Sequence, residues 1–230
     1  MMGEPRPPLA RRAAWVIRDW AYAALWQARG LGSTRAADYR GGTAQPVVVV
    51  PGVYETWHFL RPLTDALHDD GHPIHVVTAL GHNVRAVPAS ARAVMDVIEG
   101  EHLRDVLLLA HSKGALIGKY AMAHLDPGRR IDRMIAVAAP FAGSAYARLA
   151  PLRHLRAFRA SDPVLAALDR EIDANARITS IYGVFDTMIP GGSELPGSTN
   201  RVLPVAGHFS ILGDPRTRQA VLEAARAGRR

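Results

Sequence analysis

Beyond Gly41-Gly42 the chain alternates short, unbroken apolar runs with segments whose apolar positions recur every three or four residues. The plainest run is Val47-Val48-Val49-Val50, closed by Pro51-Gly52. Similar runs predict strands at 73–77, 106–110, 134–139, 178–182 and 201–205. Between and after them, helical spacing predicts helices over 57–69 (Phe59, Leu60, Leu63 and Leu67 on one side), over 89–98, after Ser112, and over 215–227. The strand runs are continuous and β-branched rather than alternating, as strands buried on both faces are. Strand–helix units of this kind, joined by right-handed crossovers, predict a doubly wound α/β architecture with a mostly parallel sheet of about six strands.

Two regions stand apart from that rhythm. Residues 1–44 precede the first strand and read as an N-terminal helical arm to a catalytic domain over 45–230. Within the arm, 15–26 fits a helix, with Trp15, Asp19, Tyr22 and Trp26 on one stripe and Val16, Trp20 and Ala23 beside it. One reading packs this helix on the domain; the other makes residues 11–29 a peripheral membrane contact, since tryptophans with flanking arginines suit a lipid surface. Arg11-Arg12 ahead of Ala13-Ala14-Trp15-Val16-Ile17 resembles the start of a signal sequence, but Arg18-Asp19 interrupts the run well short of an h-region. A cytoplasmic location, peripheral at membranes on the second reading, is the expectation. The other region, 143–177, lacks a strong strand and has helix-like pieces at 151–158 and 163–174. It reads as a small cap or lid, or as a crossover helix with a long entry loop.

Composition narrows the chemistry. The 230 residues are 48% hydrophobic and 21% charged, as in an ordinary globular protein. The absence of cysteine excludes thiol catalysis, disulfides and thiolate metal sites. A net charge of +7 raises nucleic acid as a partner, but the excess is arginine, dispersed and concentrated toward both ends, with no basic stripe interleaved with aromatics. No nucleic-acid partner, cofactor or metal is therefore expected.

The chemistry centres on Ala110-His111-Ser112-Lys113-Gly114, which follows Val106-Leu107-Leu108-Leu109 and opens a helical stretch. A serine at a strand-to-helix corner with small residues two places either side is a nucleophile elbow, where the corner is too tight for larger neighbours. Serine needs a base to take its proton and a third group to orient that base. The order expected is serine, acid, histidine, each after a strand. Asp186 leaves the strand at 178–183 and His208 leaves the strand at 201–205, so Ser112, Asp186 and His208 form the candidate triad. Oxyanion donors are expected from the backbone N–H of Lys113, at a helix N-terminus, and of Val53, where Gly52 lets the backbone turn inward. The Lys113 ammonium adds a positive field or, as expected here, sits in solvent. His111 is expected only to pack; Tyr54, His82 and Phe141 are candidates for contacting substrate.

These motifs resemble the α/β-hydrolases, in particular the small bacterial lipases and esterases. Val47-Val-Val-Val-Pro51-Gly52 resembles their first strand and oxyanion loop, which usually carries His-Gly; Ala110-His-Ser-Lys-Gly114 resembles the Ala-x-Ser-x-Gly form of their elbow. Ala139-Pro-Phe-Ala-Gly-Ser144 is similar to the lipase Thr-Pro-His-x-Gly-Ser segment, with Phe141 for histidine. Ser180-Ile-Tyr-Gly-Val-Phe-Asp186 and Gly207-His208 resemble the acid and base loops, and the likeness spans about residues 45–225. It implies metal-free hydrolysis of a small-molecule ester or lipid through an acyl-enzyme. Acyl transfer, thioester cleavage and a non-catalytic binding role on the same fold are the alternatives.

Overall fold

The computed structural model describes residues 8–30, 32, 35–144 and 162–228. Six strands form one entirely parallel sheet: β1 (Val47–Val50), β2 (Ile74–Val76), β3 (Val106–His111), β4 (Ile131–Val137), β5 (Ile178–Phe185) and β6 (Thr199–Ala206), in the order β2-β1-β3-β4-β5-β6. The expected doubly wound α/β sheet is therefore present. β4 starts and stops earlier than its apolar run, and β5 runs on through Val184 and Phe185 past a register shift at Gly183. A Cβ on Gly183 would lie 2.5 Å from the Val205 carbonyl oxygen, so glycine lets β6 stay close while β5 bulges toward Asp186.

The period of two along each strand sorts side chains between two helical layers. Val48, Val50, Leu108, Ala110 and Ala136 pack under α3 (Val87–Gly100), α4 (Lys113–Tyr120) and α5 (Pro163–Arg170). Val47, Val49, Leu107, Leu109 and Val137 pack under α2 (Arg61–Asp69), α6 (Pro215–Ala227) and Trp26 of α1 (Leu9–Arg29). Local sequence starts several helices sharply: the Asp162 carboxylate accepts from Val164 N at 2.9 Å and the Asp214 carboxylate from Arg216 N at 2.9 Å, each followed by a proline at the first helical position. Within the region read as a cap or lid, α5 is a single packed helix, and the helix-like piece at 151–158 lies outside the described residues.

α1 is longer than its expected core at 15–26 and packs on the domain against the turns Trp57–Leu60 and Ser210–Gly213, with Tyr22 Oη donating to the Phe59 carbonyl at 3.1 Å. Among the described residues no helix is long and apolar enough to cross a membrane.

After β1 the chain steps outward to β2, then returns across β1 to β3. That reversal leaves a crevice beyond the C-terminal ends of β1 and β3, where open α/β sheets bind ligands. Helix α4 begins there, so close to β1 that a Cβ on Gly114 would lie 2.0 Å from the Val50 carbonyl oxygen. Backbone cannot yield as a side-chain tip can. Gly114→Ala should therefore lower unfolding stability by about 2–3 kcal/mol, read as a reduced midpoint in denaturant titration; a midpoint equal to wild type would show that α4 shifts without cost.

Candidate active site

Ser112 sits between β3 and α4 with φ 50° and ψ −120°, outside the regions most L-residues adopt. Its N–H donates to the Val137 carbonyl at 3.0 Å, and the next residue is already helical. His208 follows β6 through Gly207, whose φ is 112°. The His208 Nε2 lies 3.0 Å from Ser112 Oγ, and its Nδ1 lies 2.8 Å from Asp186 Oδ2. Asp186 stands directly after β5, and its Oδ1 accepts from Met188 N at 2.7 Å and Ile189 N at 2.9 Å. Ser112, His208 and Asp186 thus make one continuous relay, 7%, 3% and partly exposed respectively.

The electrostatics of the relay follow from burial and from its charges. Burial alone disfavours an imidazolium at His208, but the Asp186 carboxylate beside it outweighs burial and holds His208 above its ordinary value. Burial likewise raises the Asp186 carboxyl, yet the charge and hydrogen bond of His208 and the two backbone donors outweigh it, leaving Asp186 below its usual range.

The segments carrying the two expected oxyanion donors lie against each other, with the Gly114 position closing on the Val50 and Pro51 carbonyls. Val53 lies in the loop after β1 and Lys113 at the start of α4, and neither backbone N–H has a hydrogen-bond partner among the described residues. The neighbouring amides are committed: Gly52 N donates to Glu55 Oε2 at 2.8 Å, and Tyr54 N to the His82 carbonyl at 2.7 Å. Tyr54, 43% exposed with φ 62°, and the exposed His82 lie in the loops after β1 and β2, which that bond joins. Phe141 is all but buried in the core layer, where it borders a small cavity with Leu116 and Lys119.

Several side chains behave differently from the sequence expectation. The Lys113 ammonium is not in solvent: the residue is 1% exposed, and Nζ donates to the carbonyls of Asn83 at 2.7 Å and Arg85 at 2.5 Å. Burial brings its pKa down to about 8. The ammonium turned inward satisfies two carbonyls of the loop after β2. His111 does more than pack. Its Nδ1 lies 2.8 Å from both Glu55 carboxylate oxygens and its Nε2 lies 3.0 Å from the His208 carbonyl. Both ring nitrogens face acceptors. This buried chain ties the loop after β1, the elbow and the histidine loop together.

Sequence reasoning missed Glu55, Asn83 and Asp19 as parts of the site. Asn83, fully buried with φ 51°, donates to the Pro51 carbonyl at 2.7 Å and so stitches two loops. Asp19 comes from α1. Its carboxylate accepts from three successive amides, His208 N at 2.9 Å, Phe209 N at 2.8 Å and Ser210 N at 2.7 Å, and the residue is 1% exposed. Arg18 beside it donates to the Ala206 carbonyl at 2.5 Å. The signal was present, since Asp19 is the one acid on a stripe with Trp15, Tyr22 and Trp26; an acid on a buried stripe must have a partner. Among the described residues no three metal-ligating side chains converge.

No protein-family model and no curated protein sequence matches the chain. Solved structures do. The mature form of a Bacillus licheniformis lipase superposes with a TM-score of 0.57 at 16% identity, covering 79% of this chain and 92% of its own. A structure of the metagenome-derived lipolytic enzymes LipS and LipT gives a TM-score of 0.62 at 14% identity, covering 82% and 96%. A Bacillus anthracis bromoperoxidase gives 0.56 at 12% identity, covering 81% and 93%. The chain therefore has the α/β-hydrolase fold, with its elbow serine at the position the sheet order defines.

The Asp19 contacts make a local prediction. Asp19→Ala leaves one buried and two partly buried donors without their acceptor and should cost about 3 kcal/mol of stability. In hydrogen exchange by NMR, the amides of residues 208–210 should lose protection ahead of those of α6. Unchanged protection there would show that the histidine loop holds itself.

Proposed function

We propose that the protein is a serine hydrolase that cleaves carboxylic esters, lipid esters among them, through an acyl-enzyme. The observation that carries this reading is the relay from Ser112 Oγ to His208 Nε2 at 3.0 Å and from His208 Nδ1 to Asp186 at 2.8 Å, beside a loop and a helix start whose Val53 and Lys113 N–H groups are uncommitted among the described residues. A binding module has no use for that combination.

In the reaction Ser112 Oγ attacks the ester carbonyl carbon while His208 Nε2 takes its proton. The carbonyl oxygen becomes an oxyanion and accepts from the N–H groups of Val53 and Lys113, where the α4 dipole adds positive potential. Asp186 keeps Nδ1 protonated and stabilises the imidazolium. Collapse of the tetrahedral intermediate breaks the bond to the alcohol oxygen, which leaves with the proton from Nε2. Water then repeats the sequence at the acyl-serine, with His208 again as base, and releases the acid. Tyr54 and His82, at the rim of the crevice, would meet the substrate first.

A fluorophosphonate probe tests the nucleophile: it should form one adduct, at Ser112, and Ser112→Ala should abolish it. Labelling that survives that substitution, or none in the wild type, would sink the mechanism. The pH profile tests the relay. His208 must be neutral to act as base, and its pKa is raised, so turnover of a soluble nitrophenyl ester should climb with pH through a midpoint above 6.5. Asp186→Asn should move that midpoint down and lower kcat by about 10⁴. A midpoint indifferent to Asp186 would place the controlling titration elsewhere.

A further inference from the structure

Helix α1 is organised on both of its sides. At about 100° per residue, Trp15, Asp19, Tyr22 and Trp26 fall on the arc turned to the domain, where all four are buried or half-buried. The opposite arc, about 160° wide on the same spacing, holds no charged residue. Leu9 (81% exposed), Ile17 (70%), Trp20 (55%) and Leu25 (47%) stand on it, separated by alanines, with Gln27 its one polar side chain. A surface helix ordinarily turns its charged side outward. This one turns apolar surface outward.

Three of the four arginines of α1 lie along one border of that arc, while Arg12 turns toward the domain over the Phe185 ring. Arg11, Arg18 and Arg29 form a row on one side. Each is held at that level: the Arg11 guanidinium lies 5.2 Å from the Trp15 ring centroid, Arg29 lies 4.8 Å from that of Trp26, and Arg18 bonds the Ala206 carbonyl. The single acid of the helix, Asp19, is buried under three backbone donors and offers nothing outward. The outward field of α1 is therefore cationic beside an apolar stripe. A second copy docking twofold on this face would bring arginine rows together with no acid on the face to pair them. An anionic lipid surface meets both features at once, phosphates at the arginines and acyl chains at the stripe.

We propose that the outer face of α1 docks the protein on anionic lipid, with the helix lying in the headgroup plane. The placement has a consequence for the site. Ala24, Gln27 and Ala28 of the outer arc, with Gly30, Thr56 and His82, line a mostly apolar cavity of about 420 Å³ between α1 and the loops after β1 and β2. Trp20 lies 5.8 Å from the Phe209 ring, next to His208. Docking does not rest on the ester-hydrolase reading.

The test is flotation of the full chain with vesicles of phosphatidylcholine containing phosphatidylglycerol, and with phosphatidylcholine alone. The wild type should float with the anionic vesicles, at least about tenfold more weakly with the neutral ones, and should release as salt rises. Ile17→Glu combined with Leu25→Glu should lose at least about tenfold in binding while keeping the wild-type melting temperature, since both positions are exposed. Ser112→Ala should float like the wild type, so a failure of the catalytic reading stays separate from a failure of docking. Absent or charge-indifferent flotation overturns the proposal, as does flotation undiminished in the double variant. A dimer in sedimentation that the same pair of substitutions dissociates, without vesicle binding, would make the face a subunit contact instead.

Discussion

A serine held at φ 50° and ψ −120° between β3 and α4 is the constraint on which the site depends. Such a backbone costs on the order of 1–3 kcal/mol and persists only where its surroundings leave no alternative. Here β3 is a central strand, paired along its length to β1 and β4, so the corner cannot relax backward. Forward, α4 begins against the end of β1 at a distance only Gly114 allows. The same closeness brings the loop after β1, with the uncommitted N–H of Val53, beside the helix start, with that of Lys113.

Around that corner, three buried carboxylates organise the loops. Asp186 folds its own loop by accepting from Met188 and Ile189 while facing His208. Glu55 holds Gly52 and reaches His111, which reaches the His208 carbonyl. Asp19 takes the three amides at 208–210. Each spends its charge on backbone or imidazole donors, the arrangement that makes a buried carboxylate tolerable. The histidine loop is thereby fastened from opposite sides, by His111 within the domain and by α1 from outside it. α1 is for that reason part of the site's architecture as well as the bearer of an apolar outer face.

Much of the sheet was legible because its strands are apolar on both sides: Val47–Val50 and the final helix Pro215–Ala227 fall where the residue pattern puts them. The strand ends were less so. β5 continues through Val184 and Phe185 because β6 carries it past the Gly183 bulge, and no local pattern announces a partner strand. At the site, the elbow and the order of serine, acid and histidine were readable, since each follows a strand and strand ends share one edge. The inward turn of Lys113 was not. A lysine beside a candidate nucleophile reads as solvated until two carbonyls of another loop are found at 2.7 and 2.5 Å.

The sequence by itself determined what local chemistry and periodicity can encode: the α/β alternation, the tight corner at Ser112 between Ala110 and Gly114, and acid and base candidates at strand ends. Only the tertiary structure decided which groups hold those candidates in place. Asp19 stands 189 residues from His208 and Glu55 stands 56 from His111, and contacts at such separations leave no trace in spacing. They exist because the sheet gathers its loops at one edge, where every buried polar group must find a partner or forfeit its hydration.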